Sequence, residues 1–139
     1  MPEIPLTLPA RITFNELEMS RVEILGSNNY KGSKKNIIEY LDTKSMNADD
    51  KKSPNFLALC SNLWLKESLG FKLGPSAKKL LVSFDKKYSS IELESIKNNF
   101  IANIDNQENF EKITLDFLKR LKLLKSKDGF ENLEDEPFD

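Results

Sequence analysis

The sequence predicts an α+β fold in which two or three short strands precede three helices. Three observations predict it. Apolar residues recur at helical spacing in the second half of the chain. Short stretches upstream, RITF (11–14) and RVEIL (21–25), alternate apolar with polar residues as half-buried strands do. Between the two regimes, GFKLGPSAKKLLVSF (70–84) reads as a strand, a sharp Gly-Pro break and an amphipathic helix.

The elements follow in order. Prolines at 2, 5 and 9 make the opening segment extended and loosely held. RITF and RVEIL are read as strands, although the intervening NELEMS permits a helix with Phe14, Leu17 and Arg21 on one face. GSNNYKG (26–32) is a turn-rich loop. SKKNIIEYLDTK then predicts a short helix capped by Ser33, with Ile37, Ile38 and Leu41 on its apolar face. Lys34 and Lys35 in its first turn are either solvated or an anion-recruiting pair at the helix start.

SMNADDKKSPN (45–55) is polar and aperiodic and reads as a linker. FLALCSNLWLKES carries two apolar runs broken at Ser61-Asn62, the pattern of a hairpin or bent strand, with Trp64 either in the core or on a binding surface. LGFKL is a third strand. Gly74-Pro75 opens a helix with proline where its missing N–H does no harm, and Ala77, Leu80, Leu81, Phe84 and Tyr88 form its buried stripe. Ser89 with Glu92 fits a capping box for a helix lined by Leu93, Ile96, Phe100 and Ile104. Asp105 with Glu108 repeats the start signal. The last helix, 107–124, places Phe110, Ile113, Phe117, Leu121 and Leu124 on one face. KDGFENLEDEPFD reads as a disordered acidic tail, or as a docking peptide for a basic groove. The division is therefore an N-terminal extension or small subdomain (1–54), a module (55–126) and the tail (127–139).

Composition narrows the chemistry. The 139 residues suffice for one domain with a real core, and 21 basic against 22 acidic residues give a field that favours neither nucleic acid nor an acidic ligand. With no histidine, Cys/His zinc sites, Ser-His and Cys-His nucleophiles and histidine acid–base catalysis all drop out. The five glycines match neither GxGxxG nor a Walker loop. Cys60 stands alone inside an apolar run and reads as a buried small hydrophobe. No run reaches membrane-spanning length and no signal peptide follows Met1, so a cytoplasmic, non-enzymatic protein is expected, with no metal, no cofactor and no membrane contact.

Three short strands, a Gly/Pro corner and three helices make a winged-helix-like module. Over about 63–125 the chain resembles the PqqD-like peptide-recognition domains of ribosomal peptide modification systems. The resemblance rests on the turn Leu73-Gly74-Pro75-Ser76-Ala77 and the closing run Phe117-Leu118-Lys119-Arg120-Leu121-Lys122-Leu123-Leu124. Gly74 stands where that family usually has asparagine, and Lys122 where it has glycine. The resemblance implies that a guest peptide adds to an exposed edge strand containing Phe71 and Lys72, beside a groove bordered by Phe117, Arg120 and Leu121. Phe71 and Phe117 would take apolar anchors; Lys72 and Arg120 would hold acidic residues.

The expected function is thus a non-catalytic peptide- or protein-binding module. One alternative is a winged-helix nucleic-acid binder using Lys119, Arg120, Lys122 and Lys125, although Glu92 and Glu94 make the preceding helix a poor electrostatic footprint. The other is a small inhibitor, immunity or adaptor protein with a flat apolar patch.

Overall fold

The structure, a computed structural model, describes residues 7–30, 32–48, 53–88 and 90–121. The described residues form six helices: α1 (Leu8–Ser27), α2 (Ser33–Met46), α3 (Pro54–Ser68), α4 (Pro75–Lys87), α5 (Ser90–Ala102) and α6 (Gln107–Arg120). No strand occurs among the described residues, so the α+β, winged-helix-like expectation is overturned: the described residues are all-helical. The Ser89–Glu92 capping box, the stretch 1–6, Lys122, Leu124 and Lys125 of the closing run, and the acidic tail lie outside the residues or side chains described.

Each misread strand has a physical reason. RITF and RVEIL belong to one 20-residue helix, α1. Its buried face carries Ala10, Phe14, Leu17, Arg21 and Ile24, the face already visible in NELEMS. Ile12, Met19 and Val22 form a second apolar line on the opposite side. Two apolar stripes superposed on one helix look like alternation. FLALCSNLWLKES is the body of α3, and every residue from Ala58 to Lys66 is buried. A helix enclosed on all sides shows no amphipathic period, and its apolar run cannot be told from a buried strand.

The third expected strand is a helix stop. After Leu69, Gly70 takes φ 96°, a left-handed backbone that suits glycine. The Gly70 N–H then donates to Glu67 O (3.0 Å) and the Phe71 N–H to Lys66 O (3.0 Å), the paired bonds of a Schellman ending. Residues 71–74 are an irregular bridge into α4.

Local signals fix the helix starts. Thr7, Ser53 and Asn106 cap α1, α3 and α6 by accepting from the N–H groups of Ala10, Asn55 and Asn109 at 3.3, 3.1 and 3.0 Å. The α6 cap is therefore Asn106 rather than Asp105. Helix α2 begins differently from expectation too: its cap is Gly32 at φ 91°, with no side-chain bond, and Ser33 is the first helical residue.

Helix α3 is the axis of the molecule. It packs along α1 and also touches α4 and α5, while α2 pairs with α4 and α6 with both α5 and α1. Trp64 of α3 sits over Phe117 (ring centroids 4.9 Å) and edge-on to Phe100 (5.8 Å), and Phe110 closes the cluster against Phe100 (5.0 Å). Ala77, Leu81, Phe84, Leu93, Ile96, Phe100, Phe110, Phe117 and Leu121 are buried as their spacing predicts, with Leu80, Tyr88, Ile104 and Ile113 half-buried at the margin. Leu17, Ile24 and Leu41 join the same core, so α1 and α2 pack with the later helices.

Candidate functional site

Three features of this bundle go beyond simple apolar packing. The first is a polar seam between α1 and α3. The Lys66 ammonium, with its side chain fully buried, donates to Glu23 Oε1 at 2.7 Å and to Asn62 Oδ1 at 2.8 Å. The Asn62 amide in turn donates to Glu16 Oε2 at 2.8 Å. Burial lowers the Lys66 pKa from its ordinary 10.5, and the bond and charge of Glu23 pull it back up, with Glu16 adding to that. Glu16, Glu23, Asn62 and Lys66 rise together along the two helices, so α1 and α3 run in the same direction. Arg21 ties α1 down elsewhere: it pairs with Glu18 (2.6 Å), donates to Ile104 O (3.3 Å) and lies 5.8 Å from the Phe110 ring.

The second feature is the corner at Gly74. Glycine has no side chain with which to cap α4, and the cap comes from α2 instead: Asp42 Oδ1 accepts from the Ala77 N–H at 3.0 Å. A Cβ at position 74 would meet that carboxylate at 2.6 Å. Glycine is required here by a close approach, since φ −75° and ψ 175° suit any residue. The departure from asparagine noted in the sequence therefore has a structural partner 32 residues upstream.

The third is the outward face of α1. Leu8, Met19 and Val22 are 48%, 59% and 57% exposed, Ile12 is half-buried, and Asn15 and Gly26 are exposed. Positions 8, 12, 15, 19, 22 and 26, separated alternately by four and three residues, make one line opposite the buried face of Ala10, Phe14, Leu17, Arg21 and Ile24. Arg11 and Glu18 border it on one side, and Glu16 and Glu23, drawn toward α3, on the other.

The residues expected to bind a peptide are dispersed by this architecture. Phe71 is buried under Lys34, whose ammonium lies 4.9 Å from its ring, so the GSKK pair packs at least one lysine on an aromatic face. Lys72 is exposed on the 71–74 bridge, which is not a strand. Phe117 and Leu121 belong to the core, and Arg120 pairs with Asp116 at 3.4 Å on α6. Cys60 is buried, and burial pushes its thiol up to about 12, the state of an inert packing residue.

Lys66 and Asp42 were missed by sequence reasoning. Asn62 and Lys66 stand four apart, the spacing of one helix face, but that signal emerges only once α3 is read as a helix. Hollows lie between the described helices. One, of about 470 Å³, lies between Glu16, the end of α2 at Lys44–Ala48 and the start of α3 at Ser53–Leu59. A smaller one, of about 150 Å³, is bounded by Trp64, Glu67, Asp85 and Lys97. Burial raises the Asp85 pKa above its ordinary value there. Among the described residues no three Cys, Asp or Glu side chains gather in a way that could hold a metal ion, and no helix is long and apolar enough to cross a membrane.

No curated protein and no solved structure matches this chain. A family model does, and it is not that of the PqqD-like domains: residues 3–138 match the family described as cobalamin biosynthesis protein CobT. That match runs over almost the whole sequence, helices α1 to α6 included, and the chain belongs to the CobT family.

Proposed function

We propose that this chain is a non-catalytic helical module that serves cobalamin biosynthesis by binding other proteins. The observation that carries the reading is the family match across residues 3–138. The chemistry of the bundle supports the binding role. Its buried charged groups, Lys66 and Arg21, are engaged in joining helices. Its exposed apolar residues lie on helix surfaces, as in modules that recognise partners by helix packing. The edge-strand mode of capture expected from the sequence has no strand to use among the described residues, and contact between helix faces takes its place.

The test is genetic and biochemical together. Deleting the gene should abolish cobalamin production, the intact gene should restore it, and the affinity-tagged chain should retain an enzyme of that pathway. Unchanged cobalamin output after deletion would refute the pathway assignment. Restored output by a chain that retains no protein would refute the binding role.

A further inference from the structure

We propose that the outward face of α1 is a self-association surface, on which a second copy of this chain packs its own α1 in antiparallel orientation. This stands independently of the role in cobalamin synthesis. Four apolar residues, Leu8, Ile12, Met19 and Val22, occupy a 4-3 repeat around a central Asn15. That is the pattern of a helix-pairing seam, with one polar residue at the middle that sets register.

The flanking charges select the occupant. A two-fold axis through Asn15 places Leu8 against Val22 of the second copy and Ile12 beside Met19 of the second copy. The same axis returns the Arg11–Glu18 flank to the same side of the seam. Arg11 then falls within one residue, about 1.5 Å along the axis, of Glu18 of the second copy, and the reverse pair forms by symmetry. Glu18 already accepts from Arg21 at 2.6 Å, so it would bridge two guanidinium groups across the interface. The other flank raises little repulsion, because Glu16 and Glu23 are drawn toward α3 by Asn62 and Lys66. The face is self-complementary, whereas a uniformly basic or acidic partner helix would meet one matching and one opposing charge.

The area sets the strength. A face about 27 Å long and about 10 Å wide offers roughly 300 Å² per copy. That is well under the ~800 Å² per partner of a standard stable interface, so the association is weak and concentration-dependent.

Sedimentation equilibrium of the intact chain, from low micromolar to near-millimolar, should show a monomer giving way to a dimer. Met19→Asp with Val22→Asp should hold it monomeric, with circular dichroism showing the helices intact, since both side chains are exposed. Arg11→Glu should weaken the dimer about tenfold, and Arg11→Glu with Glu18→Arg should recover most of that loss. Asn15→Cys should form a disulfide-linked dimer under mild oxidation far faster than Thr43→Cys on α2, the native Cys60 being buried. A monomer at every concentration overturns the proposal. So does a dimer indifferent to Met19→Asp/Val22→Asp, a charge swap that fails to recover, or cross-linking at position 15 no faster than at 43.

Discussion

Replacing Gly74 by alanine probes the corner where α2 caps α4. The added Cβ would lie 2.6 Å from both Cγ and Oδ1 of Asp42, and the carboxylate must retreat, releasing its 3.0 Å bond from the Ala77 N–H. Loss of an N-cap costs about 1 kcal/mol, within a range of ~0.5–2. Alanine at a backbone setting it tolerates regains about 0.5 kcal/mol by restricting the unfolded chain. Displacing the carboxylate against the helix it comes from adds a further cost, so Gly74→Ala should lose about 1 kcal/mol. Asp42→Ala should lose a similar amount. With Asp42 already replaced by alanine, however, the carboxylate that blocks position 74 is gone, and Gly74→Ala should stabilise by about 0.5 kcal/mol. The coupling between the two sites is then about 1.5 kcal/mol, well above the ~0.3–0.5 kcal/mol scatter of independent pairs. Urea denaturation of the four proteins, compared at constant m, measures it. Additive losses would show that Asp42 does not cap α4 and that glycine at 74 serves another purpose.

Other outcomes follow from the core and the seam. Glu23→Gln leaves the buried Lys66 ammonium without its counter-charge and should cost about 2 kcal/mol at neutral pH, less than a fully buried pair because Glu23 is 37% exposed. Burial lowers the folded Lys66 pKa and Glu23 pulls it back up, so the variant's Lys66 gives up its proton at lower pH than the native one; the deficit should narrow as pH rises from the variant's Lys66 pKa to the native one, and be absent in a Lys66→Met background. Cys60 acts with the opposite sign: its thiol ionises at 9.0 unfolded and about 12 folded, so stability should fall between those values, by up to about 1.4 kcal/mol per pH unit, and Cys60→Ala should flatten that decline in a pH series of melts. Phe100→Ala should cost about 3–5 kcal/mol, since its ring is fully buried among Trp64, Phe110 and Phe117; a loss below about 0.5 kcal/mol in chemical denaturation would mean the aromatic cluster is wrongly assigned.

Legibility in the sequence tracked amphipathicity. Helix α6 has one apolar face and one wet face, and its Phe110, Ile113 and Phe117 spacing announces it. Helix α4 is equally plain from Gly74-Pro75 and the Ala77, Leu81 and Phe84 stripe. The two helices read as strands are those whose burial pattern departs from a single stripe. Helix α3 is enclosed from Ala58 to Lys66, and α1 is apolar on both sides. The peptide site failed for a related reason. Phe71 stands out in a short Gly-flanked run, but there it ends a helix and is covered by α2, a non-local contact that no local spacing encodes. The cap from Asp42 is hidden in the same way, since capping signals are read within a few residues and this one spans 32.

A lysine sealed between two helices is also a reporter. Amine-directed reagents reach the exposed lysines among the described residues, but Lys66, with no exposed side-chain area, can react only when α1 lifts from α3. The rate of its modification, read by mass spectrometry on the peptide containing Trp64, would give the free energy of that single opening without unfolding the protein. Burial is what lowers its pKa, so the opened Lys66 regains the reactivity of an ordinary exposed lysine, and its modification rate counts openings directly.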